Sequence, residues 1–146
     1  MYNIQQIIES WKQDTKIDDL NLDLENTKIP SLHSKYIGML SEERMSLRAY
    51  KTKLKTLAVK LRDYFSGAMS EDDLKAFGRE QFRLKIMRSD LDERIKSDDE
   101  YLRLEARISM QEEKVDVLLE IMKSINFRNM TLRNAIEYRK MMLGGG

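Results

Sequence analysis

The sequence predicts an all-α protein of long helices joined by short turns, pairing through coiled-coil-like seams. The 146 residues contain a single Pro against 41% hydrophobic and 35% charged residues, a mixture that favours helix over sheet. Apolar residues recur at steps of three and four over most of the chain, the spacing of one helical face. Alternating apolar and polar runs are scarce. The stretch 16–24, with Leu20, Leu22 and Leu24, is the one place where a short extended segment is expected.

A first helix is predicted from Asn3, as N-cap, to about Asp14. Ile4, Ile7, Ile8 and Trp11 form its apolar face, with Trp11 as a core or oligomer anchor. The acidic stretch 15–30 breaks the pattern. Pro30 disfavours helix at Ile29, and Ser31 is positioned to cap the next helix. That helix is long, predicted over about 31–65. Its seam is Tyr36, Leu40, Glu43, Leu47, Tyr50, Leu54, Leu57, Leu61 and Tyr64, alternating steps of four and three as in a helix packed lengthwise on another. Gly67 stops it at the left-handed C-cap position. Ser70 caps a third helix that begins with Glu71, Asp72 and Asp73 and carries Leu74, Phe77, Leu84, Met87, Leu91 and Ile95. The S-x-x-E pattern from Ser97 to Glu100 predicts a restart. A fourth helix carries Leu104, Ile108, Val115, Leu118, Leu119, Met122 and Ile125. A break is expected at Asn126, and a last helix over about 128–143, ahead of an unstructured Gly tail. The expected organisation is therefore a helical region over 1–127 and a C-terminal helix with its tail over 128–146.

Charge is segregated although the net charge is only +1. Residues 44–62 hold seven cations (Arg44, Arg48, Lys51, Lys53, Lys55, Lys60 and Arg62) and no acid. Arg44, Arg48, Lys51, Lys55 and Arg62 follow helical steps along one stripe. Lys53 and Lys60, seven apart, share another face. Such a run suits a polyanion, because cations displace the counterions of phosphates and bind with strong salt dependence. Tyr50, Tyr64 and Phe65 interleave with it, and aromatic rings stack on unpaired bases. The competing reading is a solvated face that pairs with the acids of another helix or subunit.

Catalytic patterns are missing. His33 is the one His and there is no Cys, so no zinc-thiolate site or Cys nucleophile is available. Asp18, Asp19, Asp23 and Glu25 lack the glycine of a calcium loop. The acids at 71–73 and 98–100 are explained by helix starts. Neither phosphate-binding glycine motif is present. The chain is expected to bind rather than catalyse, without cofactor or metal. No apolar run predicts a membrane span, and the N-terminus lacks the build of a signal peptide.

The stretch from Ile17-Asp18 through His33-Ser34-Lys35-Tyr36, followed by a basic helix ending Lys60-Leu61-Arg62-Asp63-Tyr64-Phe65-Ser66-Gly67, resembles the UvsY family of recombination mediators of T-even-like bacteriophages. Met122-Lys123-Ser124, Phe127 and Tyr138-Arg139 are similar as well. The likeness covers most of 15–67 and, more loosely, 118–143. It implies a ring-like homo-oligomer, hexamer or heptamer, that binds single-stranded DNA and contacts a single-strand-binding protein and a RecA-like recombinase. The implied task is to help the recombinase nucleate on covered single strands in phage recombination, repair and replication, in the cytoplasm of the infected host. The family's Lys-x-Arg pair for DNA falls on Lys60 and Arg62, one residue closer to the aromatic pair than in the family's pattern. With Arg44, Arg48, Lys51, Lys53, Lys55 and Tyr64 they form the expected DNA-binding set. The family's C-terminal helix drives assembly, which assigns oligomer contacts to Phe127, Met130, Leu132, Ile136 and Met141. The alternative function is a helical scaffold or adaptor that binds only proteins and uses the basic stripe in subunit contacts.

Overall fold

A computed structural model describes residues 2–144, and all of its regular elements are helical. They are α1 (Ile4–Asp14), α2 (Leu22–Thr27), α3 (Ile29–Ser66), α4 (Glu71–Phe77), α5 (Leu91–Lys96, entered through a 3-10 turn at Arg88–Asp90) and α6 (Asp99–Met142). The described Gly144 lies in a turn, and the other two glycines of the tail lie outside the described residues.

Most predicted termini are present. Asn3 caps α1 in a capping box: its side chain accepts from the Gln6 amide at 2.8 Å, and the Gln6 side chain accepts from the Asn3 amide at 2.9 Å. Ser70 caps α4 by accepting from the Asp73 amide at 3.2 Å. Gly67 ends α3 at φ 77°, the left-handed region that a side chain resists.

Four expectations fail. The stretch 16–24 is not extended. Asp18 organises a turn by accepting from the Leu20 amide at 3.0 Å and the Asn21 side chain at 2.7 Å, and α2 begins directly after it. Pro30 does not delay α3, because in the first turn its missing N–H is one that no helix would use; Ser31 therefore lies inside the helix rather than at its cap. The third helix stops at Gly78, φ 71°, after seven residues, which leaves Leu84 and Met87 exposed in an irregular stretch. Finally, α6 passes through Asn126 without a break. Its restart is capped by Asp98, which accepts from the Glu100 and Tyr101 amides at 3.0 and 3.3 Å, whereas the Ser97 hydroxyl donates back to the Glu93 carbonyl.

The chain forms two compact units: one joins the part up to Met45 with the part from Gln111 onward, and the other is Ser46–Met110. Both α3 and α6 contribute to each, a division unlike the predicted boundary at 127/128. In the first unit, α1 and the two long helices bury Ile7, Tyr36, Leu40, Leu118, Ile125 and Leu132. Trp11 packs edge-on against Tyr36 at 5.4 Å. The Tyr36 hydroxyl donates to Asp14 at 2.8 Å, and Lys35 pairs with the same carboxylate at 2.5 Å. Burial raises the Tyr36 pKa to about 12, reinforced by the neighbouring Asp14 charge. In the second unit, Leu57, Leu61, Phe65, Ile95 and Tyr101 form the core. The predicted seam of α3 is buried or half-buried at every position, Glu43 included.

Candidate nucleic-acid interface

The second unit carries the acid-free part of α3. Arg48, Lys51, Lys53, Lys55, Lys60 and Arg62 are all exposed there, and Arg44 is exposed on the same helix within the first unit. The seam faces inward, so cations two residues apart, rotated by about 200°, emerge on opposite sides of it. Lys60 and Arg62 are separated in this way. Arg62 lies on the side of Lys51 and Lys55 and pairs with Asp92 of α5 at 2.6 Å; both partners are exposed, so the pair is weak.

Lys60 and Lys53 line a cleft of about 670 Å³ between α3 and the start of α6. Arg103 and Arg107 close the cleft from α6. Its floor is Leu57 and Leu104, with Phe77 at the end of α4. The one carboxylate on its rim, Glu100, already accepts from Arg79 at 3.1 Å. Among the described residues, none of Lys53, Lys60, Arg103 or Arg107 has an ion-pair partner. Lys53 and Arg107 instead sit over the Tyr50 ring, 5.7 and 5.3 Å from its centre. Tyr50 thus gives an aromatic partner to one cation of each helix.

The other aromatic residues that interleave with the basic run are committed to packing. Phe65 is buried. Tyr64 packs between Phe65, Phe77 and Phe82, at 5.2, 5.9 and 5.7 Å, and its hydroxyl donates to the Glu80 carbonyl at 2.8 Å. Arg79 covers its ring at 5.2 Å. Arg79 also grips Asp98 through two bonds of 2.7 and 2.9 Å, tying the end of α4 to the cap of α6. Burial opposes the Asp98 charge, but the Arg79 hydrogen bonds and charge outweigh it and lower the carboxyl pKa.

Sequence reasoning missed Arg103 and Arg107. They stand four apart on a helix with no acid between them that faces the same way, a signal hidden by the modest net charge of residues 101–146. Among the described residues, no group of His, Cys, Asp and Glu is arranged to hold a metal ion, and no helix is long and apolar enough to cross a membrane.

The family model described as "Recombination, repair and ssDNA binding protein UvsY" matches residues 10–145. The chain belongs to the UvsY family. That membership sets it among recombination and repair proteins of phage type described as binding single-stranded DNA. Crystal structures of the bacteriophage T4 recombination mediator protein UvsY share its fold. In lattice type I the match has 18% identity and a TM-score of 0.80, covering 95% of this chain and 98% of that one. In lattice type IV the values are 17% identity and a TM-score of 0.84, covering 96% and 99%. In lattice type II they are 17% and 0.82, covering 98% and 99%. Comparison with curated protein sequences gives no match.

The expected assembly residues fall into three groups. Phe127, Met130 and Met141 are 60–75% exposed, an unusual display for large apolar side chains on one helix. Leu132 is 1% exposed, inside the core of its own unit, and has no surface left to offer a second chain. Ile136 is half-buried.

Proposed function

We propose that this UvsY-family protein is a single-stranded DNA-binding mediator that helps a RecA-like recombinase nucleate on strands covered by single-strand-binding protein. It acts as a non-catalytic, ring-like homo-oligomer, a hexamer or heptamer, in the cytoplasm of the infected host. The observation that carries the reading is the exposed, acid-free run of α3: its cations are open to solvent, and the pair that Arg62 makes with Asp92 is itself exposed and weak. The DNA-binding set is Lys60, Arg62, Arg44, Arg48, Lys51, Lys53 and Lys55. Tyr64 contributes by positioning, since its ring and hydroxyl are occupied. Exposed Phe127, Met130 and Met141, with Ile136 beside them, drive assembly through α6. Assembly multiplies modest single contacts along one flexible strand.

Light scattering on the full chain, with and without a single-stranded oligonucleotide at two salt concentrations, tests both halves. The expected result is an oligomeric mass that gains oligonucleotide at low salt and releases much of it at high salt, with little base preference. A monomeric mass rejects the assembly. Absence of oligonucleotide at physiological salt rejects the DNA role and leaves a helical scaffold whose basic run meets acidic protein partners.

A further inference from the structure

The α3–α6 cleft of the second unit has a composition that backbone phosphates alone do not explain. Four cations ring it: Lys53 and Lys60 from α3, Arg103 and Arg107 from α6. Like charges gathered around one cavity repel unless an anion joins them. Glu100, the one acid among the lining residues, is shared with Arg79 and leaves the four cations in excess. A phosphate chain would satisfy the rim, but it would leave the apolar floor wet. The apolar floor is Leu57, Leu104, Ala76 and Phe77, whose ring already carries the Arg79 guanidinium at 4.6 Å, and the cleft measures about 670 Å³, room for a planar base with its sugar. One of the two threonines on the α3 wall, Thr56, turns its hydroxyl back to the Thr52 carbonyl at 3.1 Å; the Thr52 hydroxyl has no partner among the described residues. An amphipathic ligand with a flat apolar part, polar edges and flanking negative charge matches all of these features.

We propose that this cleft seats one unstacked nucleotide of the single strand in each subunit. The base lies on the Leu57, Leu104 and Phe77 floor, and the phosphates on either side are held by Lys53, Lys60, Arg103 and Arg107. The assignment rests on the DNA-binding reading above and adds to it a site, two arginines of α6 and an engaged base. The Tyr50 ring sets the positions of Lys53 and Arg107, so Tyr50 is a positioning residue rather than a stacking platform.

The test compares a fluorescent oligothymidylate with an abasic strand of equal length, using the full chain and fluorescence anisotropy over a salt series. The unsubstituted protein should bind the abasic strand at least about tenfold more weakly, since the loss at one seat is about that factor and each engaged subunit adds a seat. The double variant Lys60→Ala/Arg103→Ala removes two exposed, unpaired cations. It should lower the log–log salt slope by about 1.4, from about 0.7 per lost contact, and should abolish the difference between the two strands. The control Arg48→Ala/Lys55→Ala, on the far side of the seam, should lower the slope while the strand difference persists. Equal affinity of the unsubstituted protein for both strands overturns the base seat. A strand difference that survives Lys60→Ala/Arg103→Ala places the base elsewhere and also overturns it. Failure of the unsubstituted protein to bind either strand is the separate failure of the DNA-binding reading, which takes the cleft assignment with it.

Discussion

The two units use charge in opposite ways. In the unit that joins both ends of the chain, two clusters of ionic groups are buried, and each buried charge has an opposite charge within 4 Å. Glu43, 3% exposed, accepts from the Gln111 side chain and lies 3.8 Å from Lys114. Arg128, 5% exposed, donates to the Thr15 carbonyl at 3.2 Å and lies 3.7 Å from Glu25. In the Ser46–Met110 unit the cations of α3 and of the first turns of α6 are exposed, and the four around the cleft have no ion-pair partner among the described residues. Buried, matched charge fixes which helix faces meet, because any other pairing strands an ion in the core. Exposed, unmatched charge adds little to folding and is free to meet a ligand. Charged side chains thus serve structure in the first unit and at the Arg79–Asp98 pair of the second, whereas the cations around the cleft are left for recognition.

The largest expected effect breaks that contrast directly. Arg128→Ala removes a buried guanidinium, leaves Glu25 with Lys28 as its remaining cation, and strips the donors from the Thr15 turn. A loss of about 3 kcal/mol is expected in urea unfolding, the scale for breaking a buried pair. Arg103→Ala in the other unit should change stability by less than about 0.5 kcal/mol, as for other exposed positions, and should weaken DNA binding instead. Similar losses from the two substitutions would erase the distinction.

Next in size is Asp98→Ala. It removes the cap of α6 and both Arg79 bonds, for a loss of about 2 kcal/mol by the same measurement. The same carboxylate makes the second unit acid-sensitive. Its folded pKa is lowered, so its contribution is present above the unfolded value near 4 and is lost as pH falls through the folded one. Unfolding followed between about pH 5 and pH 2 should therefore show a flatter decline for Asp98→Asn than for the unsubstituted chain. Asp14 is lowered too, against its burial, by Lys35 and Tyr36; Asp14→Asn should flatten the curve in the first unit in the same direction.

These pairings mark where the sequence is legible. The α3 seam is readable because its three-four period runs unbroken over many turns, and even Glu43 falls on it. The caps at Asn3 and Ser70 are readable because capping is a local matter between neighbours. The stop at Gly78 is masked by apolar residues that keep a helical spacing beyond it, although Phe82 and Ile86 reach the core from irregular backbone. Asn126 misleads in the opposite way, since a weak helix former is carried along once both flanks are packed. The divergence of Lys60 and Arg62 comes from rotation alone. The meeting of Lys60 with Arg103 depends on residues far apart in the chain being brought together, and no local pattern carries that.

Gly67→Ala tests a smaller term. At φ 77° a side chain is strained, and nothing lies within 4 Å of the added methyl, so the cost is purely that of the backbone. A loss of about 1 kcal/mol is expected in urea unfolding. A larger value would mean that the turn between α3 and α4 holds the aromatic cluster of Tyr64 and Phe82 in place.

The smallest expected effect has the opposite sign. Gly38 lies in the interior of α3, exposed, with helical backbone and open space around the position of a Cβ. Unlike Gly67, it uses none of the conformational freedom that distinguishes glycine. Gly38→Ala should stabilise the chain by about 0.5–1 kcal/mol, chiefly by restricting the unfolded state, and should raise the midpoint of thermal unfolding by about 2–4 °C. The substitution also probes assembly. A methyl group that meets nothing within one chain can still meet a neighbouring subunit, and a glycine on an exposed helix face permits close approach of another backbone. Light scattering on the stabilised variant separates the two roles. An unchanged mass leaves Gly38 a plain weakness of the helix, whereas a lower mass combined with higher thermal stability assigns that face of α3 to a subunit contact.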